Sequence, residues 1–236
     1  MTVVDEVIVL IPALDEEPAL PGVLASIPRT GDGWRVREVL VVDNGSRDRT
    51  AEAARSAGAR VIAEPRRGYG AACLAGLAAL ATAPPAIVAF MDADRSDDPG
   101  ELGALLAPIV EGRADLVIGS RVLGEHEPGS LTVPQRAGNR LATLLLGILF
   151  GLPATDLGPF RAVRWDALES LRMRDRDFGW TVEMQARAAR AGLRVLEVPV
   201  RYRRRVGRSK ISGTMRGVLG AGWKILWTLG RVRLGG

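Results

Sequence analysis

Five short apolar runs, each followed by polar residues and then by a helical pattern, constrain the fold most strongly. They are rich in β-branched residues and span residues 7–11, 38–42, 60–63, 86–91 and 115–119. This alternation predicts an α/β fold, with a mostly parallel central sheet and helices on both faces. Ligands of such sheets bind at the carboxyl ends of the strands. The chain's distinctive polar clusters fall at those ends, around Pro12, Asp43, Arg66, Asp92 and Arg121.

The fourth run ends in two aspartates one residue apart, Asp92 and Asp94. On a strand this spacing places both carboxylates on one face, where they repel each other unless a cation or a ligand compensates them. Mg²⁺ or Mn²⁺ holding a diphosphate is the simplest compensation, because these ions prefer oxygen ligands and accept several from substrate phosphates. An Asp-x-Asp pattern also occurs in turns and helix caps. The spacing alone is compatible with both interpretations.

The composition is that of a basic globular chain. The 236 residues are 47% hydrophobic and 25% charged, which is enough for one large domain. Net charge is +5, and 30 of the 32 positive charges are arginine. Guanidinium groups bind phosphate oxygens in pairs, so anionic substrates, phospholipid surfaces and nucleic acid are all open, although a GC-rich genome would give the same bias. The single cysteine, Cys73, lies in a small-residue helical pattern and is predicted to be buried.

The N-terminus carries acids before its first apolar run, which is unlike a signal peptide. The longest nearly uncharged stretch, residues 141–153, is shorter than the roughly 20 residues of a membrane-spanning helix. We therefore expect a cytoplasmic protein. That stretch is predicted to be a buried or interfacial helix.

The C-terminal part is predicted to add helices at residues 135–150 and 180–191 and a strand at residues 194–202. Continuing that strand, Arg201, Arg203 and Arg205 would share one face, which requires anions close by. His126 lies between two glutamates in a Gly- and Pro-flanked loop and is interpreted as a surface residue. Residues 1–213 are predicted to form the single domain, followed by an amphipathic helical tail at 214–236.

Seven motifs in order now point to a family. They are Ile11-Pro12-Ala13-Leu14-Asp15-Glu16-Glu17, the stretch from Val41 to Thr50, Gly68-Tyr69-Gly70-Ala71-Ala72, Met91-Asp92-Ala93-Asp94, Val117-Ile118-Gly119-Ser120-Arg121, Asp156 with Phe160-Arg161-Ala162, and Gly207-Arg208-Ser209-Lys210. This order resembles the family 2 glycosyltransferases, and most closely the polyprenyl-phosphate (dolichol-phosphate) mannosyl- and glucosyltransferases. The resemblance covers residues 7–213. It implies a single GT-A domain, the Rossmann-like fold of nucleotide-diphospho-sugar transferases.

The resemblance also implies roles for individual residues. The positions matching the nucleotide-sugar site are Pro12, Ala13, Glu16, Asp43, Gly68, Gly70 and Asp92. Asp94 matches the direct ligand of Mg²⁺ or Mn²⁺, with Asp92 beside it. Ser96 occupies the position where close relatives tend to carry a further ligand, glutamine, and either Ser96 or Asp97 could substitute for it. The positions matching the acceptor phosphate and donor diphosphate site are Arg121, Arg136, Arg205, Ser209 and Lys210.

The implied activity is metal-dependent, inverting transfer of a hexose from a nucleotide-diphosphate sugar to a polyprenyl phosphate. Asp94 and Arg121 are the expected catalytic residues on this interpretation. A phosphate acceptor is largely dianionic near neutral pH and needs no strong base, whereas an alcohol acceptor needs one. Asp156 or Glu183 would then be the base, although either could instead pair with an arginine for structural reasons.

Two other functions remain open. A soluble family member could glycosylate a hydroxyl or amine of a glycan or small molecule. A basic module without activity could instead bind membranes or nucleic acid, but the paired carboxylates and the acidic strand-end loops would repel polyanions, so nucleic acid is not expected as a partner. A lipid acceptor would have to be reached from the membrane surface, by residues 141–152, the basic loop at 208–210 and the tryptophans of the tail. That tail could equally pack on the domain or form a dimer interface.

Overall fold

The computed structural model describes residues 4–207 and 215–235. The loop with Ser209 and Lys210 lies outside the described residues, so these two predicted acceptor-site residues have no structural description. None of the helices in the described part of the chain has the length and apolar character needed to cross a membrane.

One mixed sheet forms the centre of the molecule. Its strands are β1 (Val4–Ala13), β2 (Thr30–Gly31), β3 (Trp34–Asp43), β4 (Arg60–Ala63), β5 (Ile87–Phe90), β6 (Leu116–Ser120), β7 (Arg161–Arg164) and β8 (Val195–Pro199). The order is β2-β3-β1-β5-β7-β6-β8, with β4 also pairing with β3. Strands β1, β3, β4 and β5 are joined by parallel pairings, as are β6 and β8. The prediction of a mostly parallel α/β sheet is confirmed, with β7 running antiparallel between β5 and β6.

The predicted strand at residues 194–202 is wrong in its second half. Strand β8 ends at Pro199; the Val200 amide still donates to the carbonyl oxygen of Ser120 at 3.1 Å, but the Tyr202 amide donates to the carbonyl oxygen of Glu125, beyond the end of β6. Arg201, Arg203 and Arg205 therefore do not line one face of a strand. Their guanidinium groups meet three different carboxylates, at 3.4 Å from Glu101, 2.6 Å from Asp98 and 3.0 Å from Asp94, respectively. Anions are close by, as expected, and the protein itself supplies them.

Helices cover both faces of the sheet. They are α1 (Leu20–Ser26), α2 (Thr50–Ser56), α3 (Tyr69–Leu80), α4 (Leu102–Val110), α5 (Val133–Phe150), α6 (Trp165–Leu171), α7 (Trp180–Arg190) and α8 (Met215–Arg233), with a 3₁₀ turn at Pro99–Glu101. Helix α5 begins at a capping box formed by Thr132 and Gln135 and ends at Gly151, which adopts the left-handed conformation. Helix α6 was not predicted from the sequence.

The core has two layers, because successive residues of a strand point to opposite faces. Val9 and Ile11 pack under α1 and α4, whereas Ile8 and Leu10 pack under α3 and α7. Cys73 is buried in the second layer, as predicted. A third cluster joins α5, α7 and α8 through Leu146, Val182, Leu229 and Val232. The C-terminal helix thus packs on the domain along one of its faces.

Candidate active site

A cavity of about 490 Å³ lies at the carboxyl ends of β1, β3 and β5. We call it the strand-end cavity. The predicted site residues that it brings together are Pro12, Ala13, Glu16, Gly68, Asp92, Asp94 and Arg205. The lining also includes Asn44, which the sequence reasoning missed. The Asn44 amide nitrogen donates to the carbonyl oxygen of Arg66 and its oxygen accepts from the amide of Gly68, which fixes the loop before α3.

Two predicted nucleotide-site residues, Asp43 and Gly70, do not line this cavity. Asp43 accepts a hydrogen bond from the Ser46 amide at 3.2 Å, so its carboxylate closes the turn after β3. A Cβ atom on Gly70 would overlap the carbonyl oxygen of Asp175. The protein's own backbone at residue 175 therefore already requires glycine here, and the nucleotide contact predicted for Gly70 stays a prediction for a residue outside the cavity lining.

Asp92 and Asp94, which follow the fourth apolar run, both face the strand-end cavity. Asp94 pairs with Arg205 at 3.0 Å and accepts a hydrogen bond from the Ser96 amide at 3.0 Å. Burial, followed by the charges of Asp94 and Asp97, raises the pKa of Asp92 well above its usual range. Burial likewise raises the pKa of Asp97 to about 7. The cluster thus concentrates negative charge that Arg205 offsets only in part, which favours a cation in the cavity.

Of the three predicted metal ligands, Asp92 and Asp94 line the strand-end cavity and Ser96 does not. Ser96 is fully buried and lies outside the cavity lining, so it is not placed as a metal ligand, contrary to expectation. Within residues 4–207 and 215–235, no three His, Cys, Asp or Glu side chains converge as a complete metal cage. Asp92 and Asp94 still fit an ion such as Mg²⁺ or Mn²⁺, which commonly binds one or two carboxylates and fills its other positions with water and phosphate oxygens.

A second cavity, of about 410 Å³, is lined by Arg121, Arg136, Arg140, His126 and Asp156. We call it the basic cavity. Arg136 and Arg140 project from α5 together with Asn139 and Thr143, which also line it. His126 is exposed, as predicted, but it also lines this cavity, which the surface interpretation missed. The spacing of residues 136, 139, 140 and 143 on one helical face was the signal in the sequence that could have revealed this wall.

Arg121 is held at the base of the basic cavity. Its Nε and Nη2 donate to the two oxygens of Asp156 at 2.8 and 2.6 Å, and its guanidinium carbon lies 5.0 Å from the centre of the Tyr202 ring. Burial alone would lower the pKa of Arg121, but the hydrogen bonds and charge of Asp156 outweigh it and raise that pKa. Tyr202, over which Arg121 lies, forms a β-bridge with Asp97 and is followed three residues later by Arg205 in the lining of the strand-end cavity, so the two cavities are neighbours.

Both candidates for a catalytic base are engaged in ion pairs. The Asp156 side chain is 1% exposed, and both of its oxygens accept hydrogen bonds from Arg121. Glu183 is fully buried and lines neither cavity. Its oxygens accept hydrogen bonds from the amides of residues 174 and 175 and from Arg187 and Arg231. The structure therefore supports the structural alternative for Glu183.

The sheet with its site at the strand ends is that of a GT-A glycosyltransferase. The structure of glucosyl-3-phosphoglycerate synthase from Mycobacterium tuberculosis, solved with Mn²⁺, UDP and glucosyl-3-phosphoglycerate, is similar with a TM-score of 0.76. The two sequences are 26% identical, and the match covers 98% of this chain and 80% of that chain.

The sequence identifies the family. The profile of Glycosyl transferase family 2 matches residues 8–172, and the chain belongs to this family. An uncharacterised glycosyltransferase of Mycobacterium tuberculosis is 45% identical over 228 residues, which cover 94% of this chain and 98% of that protein. The dolichyl-phosphate hexose transferase of Haloferax volcanii is 37% identical over 213 residues, covering 88% and 87% of the two chains. The predicted family and enzyme class, a glycosyltransferase, are thereby confirmed.

Proposed function

We propose that this glycosyltransferase transfers a hexose from a nucleotide-diphosphate sugar to a polyprenyl phosphate, with inversion and with a divalent metal. One observation carries the choice of acceptor. Both carboxylates that could serve as a base are engaged in ion pairs, whereas three arginines line the cavity next to the strand-end cavity. That combination suits an acceptor that is anionic and already nucleophilic.

On the donor side, Pro12, Ala13, Glu16 and Gly68 would contact the nucleotide. The structural neighbour holds UDP and Mn²⁺, which supports a nucleotide donor and a metal here. Asp92 and Asp94 would hold Mn²⁺ or Mg²⁺. When bound, such an ion neutralises charge on the departing nucleotide diphosphate. Arg205, which pairs with Asp94, supplies a further positive charge at the same wall.

On the acceptor side, Arg121, Arg136 and Arg140 would bind the phosphate. A phosphate oxygen then attacks the anomeric carbon as the bond to the nucleotide diphosphate breaks, and the configuration at that carbon inverts. The Haloferax relative, named for a dolichyl-phosphate acceptor, matches over most of its length. The mycobacterial synthase, whose complex contains glucosyl-3-phosphoglycerate, favours a small phosphorylated acceptor as the second candidate.

The acceptor is tested with purified protein, Mn²⁺ or Mg²⁺, a panel of nucleotide sugars and three acceptors in parallel: a short polyprenyl phosphate, the matching polyprenol and 3-phosphoglycerate. We expect a glycolipid only with the polyprenyl phosphate. Product with 3-phosphoglycerate or the polyprenol alone would overturn the lipid-phosphate assignment. Asp94→Ala is expected to abolish metal-dependent turnover while the circular dichroism spectrum is retained, and surviving turnover would contradict the metal role.

We also propose that the enzyme meets the bilayer through exposed apolar stripes on α5 and α8. Leu144 and Ile148 of α5 are 58% and 69% exposed, and Trp223 and Trp227 of α8 are 70% and 58% exposed. Their spacing places each pair on one helical face, and Arg136 and Arg140 continue the α5 stripe toward the basic cavity. Apolar and aromatic side chains flanked by arginines suit an anionic lipid surface.

Vesicle sedimentation tests this contact. We expect the double variant Leu144→Gln, Ile148→Gln to bind phosphatidylglycerol vesicles at least about tenfold more weakly than the wild type. Leu196→Gln, on the exposed side of β8, serves as the control and should bind normally. Failure of the wild type to sediment, together with a dimer in light scattering that the double variant abolishes, would assign the stripes to a dimer interface instead.

A further inference from the structure

The loop of residues 173–179, between α6 and α7, forms one wall of the strand-end cavity. It contributes Asp177 and Phe178 to the lining. The loop is held against the start of α3, where the amides of Gly70 and Ala71 donate to the carbonyl oxygens of Asp177 and Arg176 at 3.3 and 2.9 Å. We call this segment the donor-wall loop.

Asp175 organises the donor-wall loop from inside. It is 1% exposed, and its Oδ1 accepts hydrogen bonds from the amides of Asp177 and Gly179 at 2.8 and 3.1 Å. Its Oδ2 points the other way, toward helix α8. There it lies 3.3 Å from Nζ of Lys224 and accepts a hydrogen bond from the Thr228 hydroxyl at 3.3 Å. A buried carboxylate needs such partners, because burying a charge without a counter-charge is costly.

Helix α8 holds the loop at two further points. Lys224 lies 3.8 Å from the carboxylate of Asp177. Arg231 donates to Glu183, whose other oxygen accepts from the amides of residues 174 and 175. The packing is close, since a Cβ atom on Gly179 would lie 2.6 Å from Oδ2 of Asp175 and would overlap the Thr228 hydroxyl. The face of α8 that carries Lys224, Thr228 and Arg231 therefore supports the base of the loop.

We propose that α8 positions the donor-wall loop for the nucleotide sugar, with Lys224 as the principal positioning residue. The part concerning the donor rests on the function proposed above. Lys224 compensates the buried Asp175 carboxylate, whose other oxygen keeps the loop closed. The order of Asp177 and Phe178 therefore depends on side chains of α8 that do not themselves line the cavity, Lys224 and Thr228. Loss of Lys224 leaves the basic cavity unchanged, because its lining residues come from other elements.

The test compares Lys224→Met with Lys224→Arg by amide hydrogen exchange and by steady-state kinetics. In Lys224→Met we expect exchange of peptides covering residues 173–179 to be about tenfold faster than in the wild type. Exchange in the β1 and β5 peptides should not change. The KM for the nucleotide sugar should rise about five- to tenfold while kcat and the acceptor KM stay within about twofold. Lys224→Arg, which keeps the charge, should restore both readouts.

Arg233→Ala is the matched control, because Arg233 is an exposed cation on the same helix. Thr228→Val, expected to act in the same direction as Lys224→Met, provides a second test if that variant folds poorly. Unchanged exchange in the donor-wall loop would overturn the positioning role. Faster exchange with an unchanged donor KM would show that the loop is not a donor wall. Exchange is measured without substrate, so this result stands even if the wild type shows no transfer to polyprenyl phosphate, which would refute only the proposed function.

Discussion

Replacement of Glu183 by glutamine distinguishes a structural role of this carboxylate from a role as the catalytic base. Glu183 is fully buried, and its two oxygens accept four hydrogen bonds, from two backbone amides and from the guanidinium groups of Arg187 and Arg231. In Glu183→Gln the amide NH₂ must face one pair of these donors, and the two arginines lose their counter-charge. Breaking a buried charge pair typically costs about 3–5 kcal/mol.

At the roughly 2–4 °C per kcal/mol expected for a chain of this size, Tm should fall by about 6–20 °C. The value of kcat, measured at saturating substrate and well below the lowered Tm, should stay within about tenfold of the wild type, because Glu183 touches neither cavity. Removing a general base would instead reduce kcat by about 10²–10⁴. Glu111→Gln, at an exposed position, is the control and should leave both quantities unchanged. An unchanged Tm with a loss of kcat above about a hundredfold would refute the structural role.

The other predictions concern ion pairs, pH and packing. Asp156→Ala removes the buried partner of Arg121. The free energy of unfolding, measured by thermal unfolding, should fall by about 3 kcal/mol, and the rate of transfer should fall as well. Burial raises the pKa of Asp97 to about 7, so between about pH 4 and pH 7 the folded state keeps a proton that the unfolded state has lost. The free energy of unfolding therefore decreases as pH rises from about 4 to above 7. In urea unfolding, Asp97→Asn should be more stable than the wild type at about pH 8 but not at about pH 3.5. Gly76→Ala should lower the free energy of unfolding by about 1–3 kcal/mol, because the added Cβ atom would overlap the Leu10 side chain. Gly138→Ala should raise it by about 0.5–1 kcal/mol, because a Cβ atom there meets nothing within 4 Å and alanine favours helix α5.

The strand positions and the edge that holds the site could be predicted because they depend on local patterns. Val7 to Ile11 is apolar over its whole length, as a strand buried on both faces requires, and the polar residues that end such runs meet at one edge of a sheet. Asp92 and Asp94, by contrast, lie in the loop after β5, which ends at Phe90, so the strand alternation from which their common direction was predicted does not apply to them. Both now line the strand-end cavity.

Non-local partners could not be predicted in this way. Arg121 meets Asp156, 35 residues away, and Glu183 meets Arg231, 48 residues away, so neither carboxylate's role can be inferred from its neighbours in sequence. Gly70 was matched to the nucleotide-sugar site, and its close contact with the backbone of residues 175 and 176 could not be inferred from its neighbours in sequence. The antiparallel direction of β7 depends on its pairing with β5 and β6, and a local pattern of apolar residues does not predict which strands pair or in which direction.

The kinetics of Arg136→Ala test most directly the proposal that the strand-end cavity binds the nucleotide sugar and the basic cavity binds the acceptor phosphate. Arg136 lines only the basic cavity and lies on the wall that would contact the acceptor phosphate. Loss of one hydrogen bond to a charged group costs about 1.5–3 kcal/mol, so KM for polyprenyl phosphate should rise about 10- to 100-fold while KM for the nucleotide sugar stays unchanged. An unchanged acceptor KM, or a rise in the donor KM instead, would contradict the assignment of the basic cavity to a lipid phosphate.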